Sequence, residues 1–302
     1  MTRTETVPAW VGQVLGHGVT GLRRLAWGFT NETWAGTTAH GERLVATRMA
    51  ATGSAHAIIA RGPALAGRLA AAGIETPIPL AGRSDGATGV VVARWLDGTP
   101  GIELMHTADG AAQVGRALGS AWRRLAKMDS SDLELDELWA HPGILSRAAR
   151  RWLGDVQADL PSSSVEVTRW RLGQLEPLLA RQRPAMVHGD LVPANVLVRD
   201  GAGPALLDLE AVRLGEPLLD AAWFGWIVRF HHPAVSHIAW ASFAAAGAID
   251  AGETVTAALL EILPTVRILE IMAALAPGPA RARWLEQLRA NVGTPVSGGA
   301  LG

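Results

Sequence analysis

His188-Gly-Asp190-Leu-Val-Pro-Ala-Asn195-Val-Leu-Val198, followed by Leu207-Asp208-Leu-Glu210, is the stretch on which the fold turns. Apolar Ala185-Met-Val187 leads into it, and Asn195 opens the β-type run Val196-Leu-Val198. A second such run, Ala205-Leu-Leu207, lies across the turn Asp200-Gly-Ala-Gly-Pro204. A turn centred between residues 201 and 202 sets Asn195 directly across from Asp208, with Cβ atoms roughly 4.5–5.5 Å apart. An amide oxygen and a carboxylate at that spacing suit a hard cation such as Mg²⁺. Asp190, five residues before Asn195, can accept a proton from a hydroxyl while the metal neutralises a phosphate. Singly, such residues cap loops, start turns and end strands. Together they form a pattern those duties do not explain.

Working outward, the 302 residues carry 27 Lys+Arg against 28 Asp+Glu, a balance of −1 that argues against a nucleic-acid binder held by phosphate neutralisation. Hydrophobic residues make up 49% and charged ones 18%, too apolar for a disordered chain. With no Cys there is no disulfide, thiolate metal site or Cys nucleophile, and any metal must be held by oxygen or imidazole. The start, Met1 to Pro8, has no apolar core behind a basic region and does not read as a signal peptide. The run Phe230 to Ile249 lacks Asp, Glu, Lys and Arg, but His231, His232, Pro233 and His237 suit a buried helix better than a membrane span. A soluble, cytoplasmic protein with no membrane partner is expected.

From Leu22 to Ala50 the pattern alternates strands and turns. Ser54 to Ala72 reads as a helix stopped by Gly73, with Gly62-Pro63 beginning or breaking it. Ile78-Pro-Leu80 and Val90-Val-Val-Ala93 add two strands, and Asp97-Gly-Thr-Pro100 closes the sheet region. Beyond it, Asp109–Met128, Leu145–Val156, Val165–Leu179 and segments after Ala221 show helical spacing. The expected class is α+β, with a small antiparallel sheet lobe holding one helix (residues 1–96) and a larger, mainly helical lobe (residues 97–302).

The quoted motif resembles that of the aminoglycoside phosphotransferase family, which is related to choline kinases and, more distantly, to protein kinases. Gly215-Glu-Pro-Leu-Leu-Asp220 is similar to its Gly-Asp-Pro-x-x-Asp segment, Val90 to Gly98 to its lobe connector, and Leu69 to Pro77 to its passage from helix αC to the next strand. The resemblance spans most of residues 20–225 and implies a two-lobed, protein-kinase-like fold that uses ATP, with GTP as the alternative, and Mg²⁺. It makes Asp190 the residue that orients and deprotonates the acceptor hydroxyl, with His188 shaping the catalytic loop. Asn195 and Asp208 become metal ligands, Glu210 a second acid there or an ordering residue, and Asp220 a structural tie. It lays the turn Gly28-Phe-Thr30-Asn31 over the triphosphate and Arg48 on the α- and β-phosphates, Arg43 being a weaker competitor. Arg94, Trp95 and Leu96 fall in the nucleotide-binding connector.

One departure stands out. Where relatives show Arg-Glu near the start of αC, this chain has Arg61-Gly62-Pro63. Glu75 is a possible substitute. Otherwise the alignment register is off, Arg48 has another partner, or nucleotide binding is weaker.

The resemblance implies phosphorylation of a small-molecule hydroxyl, an antibiotic being the leading acceptor and resistance the outcome. The acid-rich stretch Asp129 to Glu137 either favours a cationic acceptor, an aminoglycoside or basic peptide antibiotic, or is a solvated linker. A metabolite kinase for homoserine, choline, a sugar or a nucleoside, and a nucleotide-binding scaffold without turnover, are the competing readings. A metal-dependent hydrolase lacks the expected His ligands. The chain would act as a monomer or homodimer. Twelve Trp and no Tyr give an unusual aromatic set, mostly core by expectation, with one or two available to an acceptor pocket. His231, His232 and His237 read as packing residues.

Overall fold

A computed structural model describes residues 7–16, 18–25, 31–49, 52–84, 89–199 and 201–293. Its first elements are α1 (Val7–Leu15), β1 (Val19–Arg24), β2 (Glu32–Thr38), β3 (Arg43–Met49), α2 (Thr52–Ala71), β4 (Pro79–Ser84), β5 (Gly89–Arg94) and β6 (Thr99–Pro100). They are followed by α3 (Gly101–Leu104), α4 (Ala108–Leu125), β7 (Asp136–Trp139), α5 (Pro142–Val156), α6 (Ser162–Leu179) and β8 (Ala185–Val187). The remainder holds β9 (Val196–Val198), β10 (Ala205–Leu206), β11 (Arg213–Gly215), α7 (Leu218–His231), α8 (Ser236–Gly247), α9 (Thr254–Ala274) and α10 (Pro279–Gly293).

The chain divides into two compact units. The first comprises residues 1–102, 131–134 and 194–211, and the second the remaining segments. The sequence reading drew one boundary, at residue 96. By packing, the hairpin β9–β10 groups with the N-terminal strands.

In the first unit the strands form an antiparallel sheet in the order β1-β2-β3-β5-β4. Alternation sorts its side chains. Leu44, Ala46, Val90 and Val92 pack with Trp10 and Val11 of α1, while Met49 and Val91 pack with Ile58 and Ile59 of α2. Helix α2 runs without interruption through Pro63, so Gly62-Pro63 neither begins nor breaks it. Its close seat on β4 accounts for this. A Cβ on Gly62 would come within 2.7 Å of Pro79, and one on Gly82 within 2.2 Å of Ile59, so tertiary packing outweighs the hydrogen bond that Pro63 cannot make. The segment Thr99–Pro100, read as the close of the sheet, is a strand of a second sheet in the order β10-β9-β6. Glu75 bridges to Ala205 in parallel, joining the exit of α2 to the same hairpin.

In the second unit, Thr107 caps α4 by accepting the Gly110 N–H at 3.1 Å, and Asp109 and Arg123/Arg124 stand at the helix ends that favour their charges. Helices α4 and α8 approach closely at Gly115 and Gly119, where a Cβ would lie 2.3 Å from the carbonyl oxygens of Ala239 and Phe243. A three-stranded sheet, β7-β11-β8, carries the chain to His188. The apolar run Phe230 to Ile249 closes α7 and forms α8. Among the described residues no helix is long and apolar enough to cross a membrane.

Candidate active site

Strand β8 delivers the chain to a tight loop in the second unit, where Gly189 takes a φ of +79° that a side chain would resist. Asp220, in the first turn of α7, fastens this loop. Its carboxylate accepts the His188 N–H at 2.6 Å and the Gly189 N–H at 2.8 Å. Burial pushes the Asp220 carboxyl above its ordinary range, against the pull of His188 and the two amides. His188 is fully buried, and its Nδ1 accepts the Asp190 N–H at 3.3 Å. The Asp190 carboxylate in turn accepts the indole N–H of Trp223 at 2.9 Å. The sequence reading counts Trp223 among the Trp residues of the helical lobe, expected mostly in the core with one or two lining an acceptor pocket, and does not join it to Asp190. The available signal was its spacing: it follows Asp220 by three positions, so one helical turn presents both to the loop.

The other predicted residues lie in the first unit. Asn195 ends a 3₁₀ turn, Pro193–Asn195, and enters β9. Leu197 pairs with Ala205 and Val196 with Leu206, and the Asn195 carbonyl accepts the Leu207 N–H at 2.9 Å. Asn195 therefore lies opposite Leu207, one residue short of the expected Asp208. The turn centres on Gly201, which supplies a φ of +67°, rather than between residues 201 and 202. In a regular strand a one-residue slip reverses faces. Asp208 breaks the alternation by adopting a φ of +55°, a left-handed conformation that Asp tolerates better than most residues, and the chain then turns into Leu209–Ala211. Strain of this kind persists where the surroundings impose it, and it concentrates at functional sites.

Glu210 accepts a hydrogen bond from the Asn31 amide at 3.5 Å, and its backbone carbonyl accepts one from Arg61 of α2 at 3.0 Å. Arg61 also reaches the Leu209 carbonyl at 3.5 Å. Gly28 and Thr30, expected over the triphosphate, lie outside the described residues. Arg48 pairs across the sheet with Glu32 at 3.5 Å, and Glu32 also meets Arg24 at 3.3 Å. Glu75 does not substitute for the missing helix carboxylate. Both its oxygens accept from Arg199, at 2.9 and 2.5 Å, and that hydrogen bonding holds its pKa down. Arg43 is held at the connector, paired with Asp97 at 2.5 Å and lying 4.5 Å over the Trp95 ring. In the same connector the Arg94 N–H donates to Ile78, the Trp95 N–H donates to Arg43, and Leu96 is half-buried.

In the acid-rich stretch Asp132 pairs with Arg68 of α2, while Asp136 accepts the Leu138 N–H and Glu137 pairs with His141. His231 sits edge-on to Trp226 and Phe230. Among the described residues no three His, Cys, Asp or Glu side chains gather as a metal cluster.

The model of the phosphotransferase enzyme family matches residues 21–261, most of the chain. The chain belongs to that family. This phosphotransferase is thus a small-molecule kinase with an α+β, protein-kinase-like fold. Several solved structures are similar. Macrolide 2'-phosphotransferase MphH from Brachybacterium faecium is 20% identical over 92% of this chain and 96% of its own, with a TM-score of 0.62. Aminoglycoside 2'-phosphotransferase-IIIa, solved as a GDP complex, is 16% identical over 94% and 96%, with a TM-score of 0.70. A putative fructosamine-3-kinase from Thermobifida fusca is 20% identical over 96% and 99%, with a TM-score of 0.58. No match is found among the curated proteins.

Proposed function

We propose that the enzyme transfers the γ-phosphoryl group of ATP, or of GTP as the alternative donor, to a hydroxyl of a small-molecule antibiotic in the cytoplasm. The observation that carries this reading is the fastened loop, with Asp220 gripping the backbone at His188 and Gly189 so that Asp190 follows in a defined place. Asp190 orients the acceptor hydroxyl and takes its proton as the acceptor oxygen bonds to the γ-phosphorus. The bond from that phosphorus to the β-phosphate bridging oxygen breaks, and the nucleoside diphosphate leaves with the electron pair.

Asn195, Asp208 and Glu210 offer only hard oxygen donors, and the left-handed turn at Asp208 is a local departure that a purely structural strand end would not need. That donor set fits Mg²⁺, which when bound neutralises charge on the phosphate oxygens. Asn31 orders Glu210, Arg48 holds the α- and β-phosphates, and the Arg94–Leu96 connector receives the base. The family match and the likeness to nucleotide-bound relatives support this division of labour. Antibiotic acceptors rest on the macrolide and aminoglycoside enzymes among the similar folds. The Asp129 to Glu137 stretch supports a cationic acceptor and a solvated linker alike, since Asp132 pairs with Arg68, Asp136 accepts the Leu138 N–H and Glu137 pairs with His141.

The test is a transfer assay with γ-labelled ATP and GTP and Mg²⁺. The panel sets erythromycin, kanamycin and hygromycin B beside homoserine, choline and ribose. Label on an antibiotic is the expected result, abolished in Asp190→Ala by roughly 10²–10⁴ in kcat with nucleotide binding retained. Label confined to the metabolites overturns the antibiotic reading, and full activity in Asp190→Ala overturns the mechanism.

A further inference from the structure

We infer that Trp223 is a positioning residue for Asp190, fixing the plane of its carboxylate through the indole N–H. The inference rests on the reading of Asp190 as the proton acceptor. The torsion that turns an Asp carboxylate is broad and soft, so a held backbone does not by itself hold the oxygens. Indole is a donor only, and its single N–H is given to Asp190 Oδ1 at 2.9 Å.

The donor is itself closely packed. Trp223 is 2% exposed, and its ring stacks on Trp226 at 5.0 Å and on Trp284 of α10 at 6.0 Å, while Trp226 stacks on Phe230 at 5.3 Å. Three positions upstream, Asp220 grips the same loop by its backbone. One turn of α7 thus holds the loop twice, at the amides through Asp220 and at the reacting carboxylate through Trp223. Misplacement of a catalytic group by about 1 Å can cost on the order of 10²-fold in rate, so an orienting bond at this position acts on turnover rather than on binding.

The experiment follows phosphate release from Mg²⁺-ATP with water as acceptor, in the full-length protein. Trp223→Phe keeps a ring in the stack and removes the donor. Its kcat is expected to fall about 10-fold or more, with KM for Mg²⁺-ATP within two-fold of the parent. In an Asp190→Asn background the same substitution is expected to change the residual rate less than two-fold, since the bond it removes acts through that carboxylate. Trp226→Phe perturbs the stack without touching the donor and serves as the packing control. Unchanged kcat in Trp223→Phe, an equal fall in Trp226→Phe, or an equal further fall in the Asp190→Asn background each overturns the inference. Unimpaired turnover in Asp190→Asn alone instead overturns the reading of Asp190 on which it rests.

Discussion

Arg48 and Glu32 face each other across β3 and β2, joined at 3.5 Å from Nη1 to Oε2. The carboxylate partner of the proposed phosphate-binding cation therefore comes from the neighbouring strand. Helix α2, which lacks a Glu at the corresponding place, sends Arg61 to the carbonyls of Leu209 and Glu210 instead. A strand partner is fixed by register, so the orientation of Arg48 does not depend on where α2 sits. The two side chains are about 40% exposed, and such pairs contribute about 0.2–1 kcal/mol. Glu32→Gln is accordingly expected to raise KM for Mg²⁺-ATP about two- to five-fold and to leave kcat within two-fold. Steady-state kinetics at low salt check it, and a KM unchanged there would show that Glu32 does not orient Arg48.

Asp208→Asn separates charge from shape, because Asn also tolerates the left-handed backbone found at this position. On the proposed role of Asp208 as a Mg²⁺ ligand, the variant should fold normally and lose at least about 100-fold in Mg²⁺-dependent turnover, as an amide does not supply the charge of a carboxylate. The rise in melting temperature produced by Mg²⁺-ATP should shrink with it. A full thermal shift in Asp208→Asn would contradict the assignment.

Glu216 supplies a prediction in pH. Its Oε1 accepts the Leu218 N–H at 3.1 Å, its Oε2 is buried without a hydrogen-bond partner, and burial pushes its pKa up from 4.5 to about 7. A carboxyl with a raised native pKa binds its proton more tightly in the folded state. Its favourable contribution is complete below pH 4.5, is lost as pH rises towards 7, and stays lost above that. The span corresponds to about 3 kcal/mol. Glu216→Gln cannot ionise, so its stability relative to the parent should climb between pH 4.5 and 7 and then level off. Melting temperatures of both proteins from pH 4 to 8 provide the comparison, and parallel curves would refute it.

Gly119→Ala tests the seam between α4 and α8. The added methyl would meet the Phe243 carbonyl oxygen at 2.3 Å, and backbone on both sides leaves little room to yield. A loss of about 1–3 kcal/mol is expected by urea denaturation, with Gly115→Ala similar against Ala239. A neutral result would mean that the helices can slide apart freely.

The strands of the N-terminal sheet were legible because short β-type runs, such as Val90 to Ala93, stand between turn residues, and the His188 to Glu210 motif because its polar residues flank short apolar runs. The register of β9 and β10 was not. It depended on whether the turn centred on a residue or between two, a choice that Gly201 makes through its backbone. The continuity of α2 past Pro63 was hidden for a related reason: local preference speaks against it, and contacts with β4 from elsewhere in the chain decide it. The bond between Trp223 and Asp190 joins residues 33 positions apart, and nothing in the type of either predicts the other as partner.

The parallel stack of Trp223, Trp226 and Trp284 gives the enzyme a built-in optical reporter. Because the chain contains no Tyr, indole chromophores dominate its near-ultraviolet absorption. Rings held 5.0–6.3 Å apart at shallow mutual angles couple electronically and give circular dichroism that depends on their arrangement. Since the first of those rings is hydrogen-bonded to Asp190, the dichroic band offers a label-free view of the loop that carries Asp190 as ligands are added.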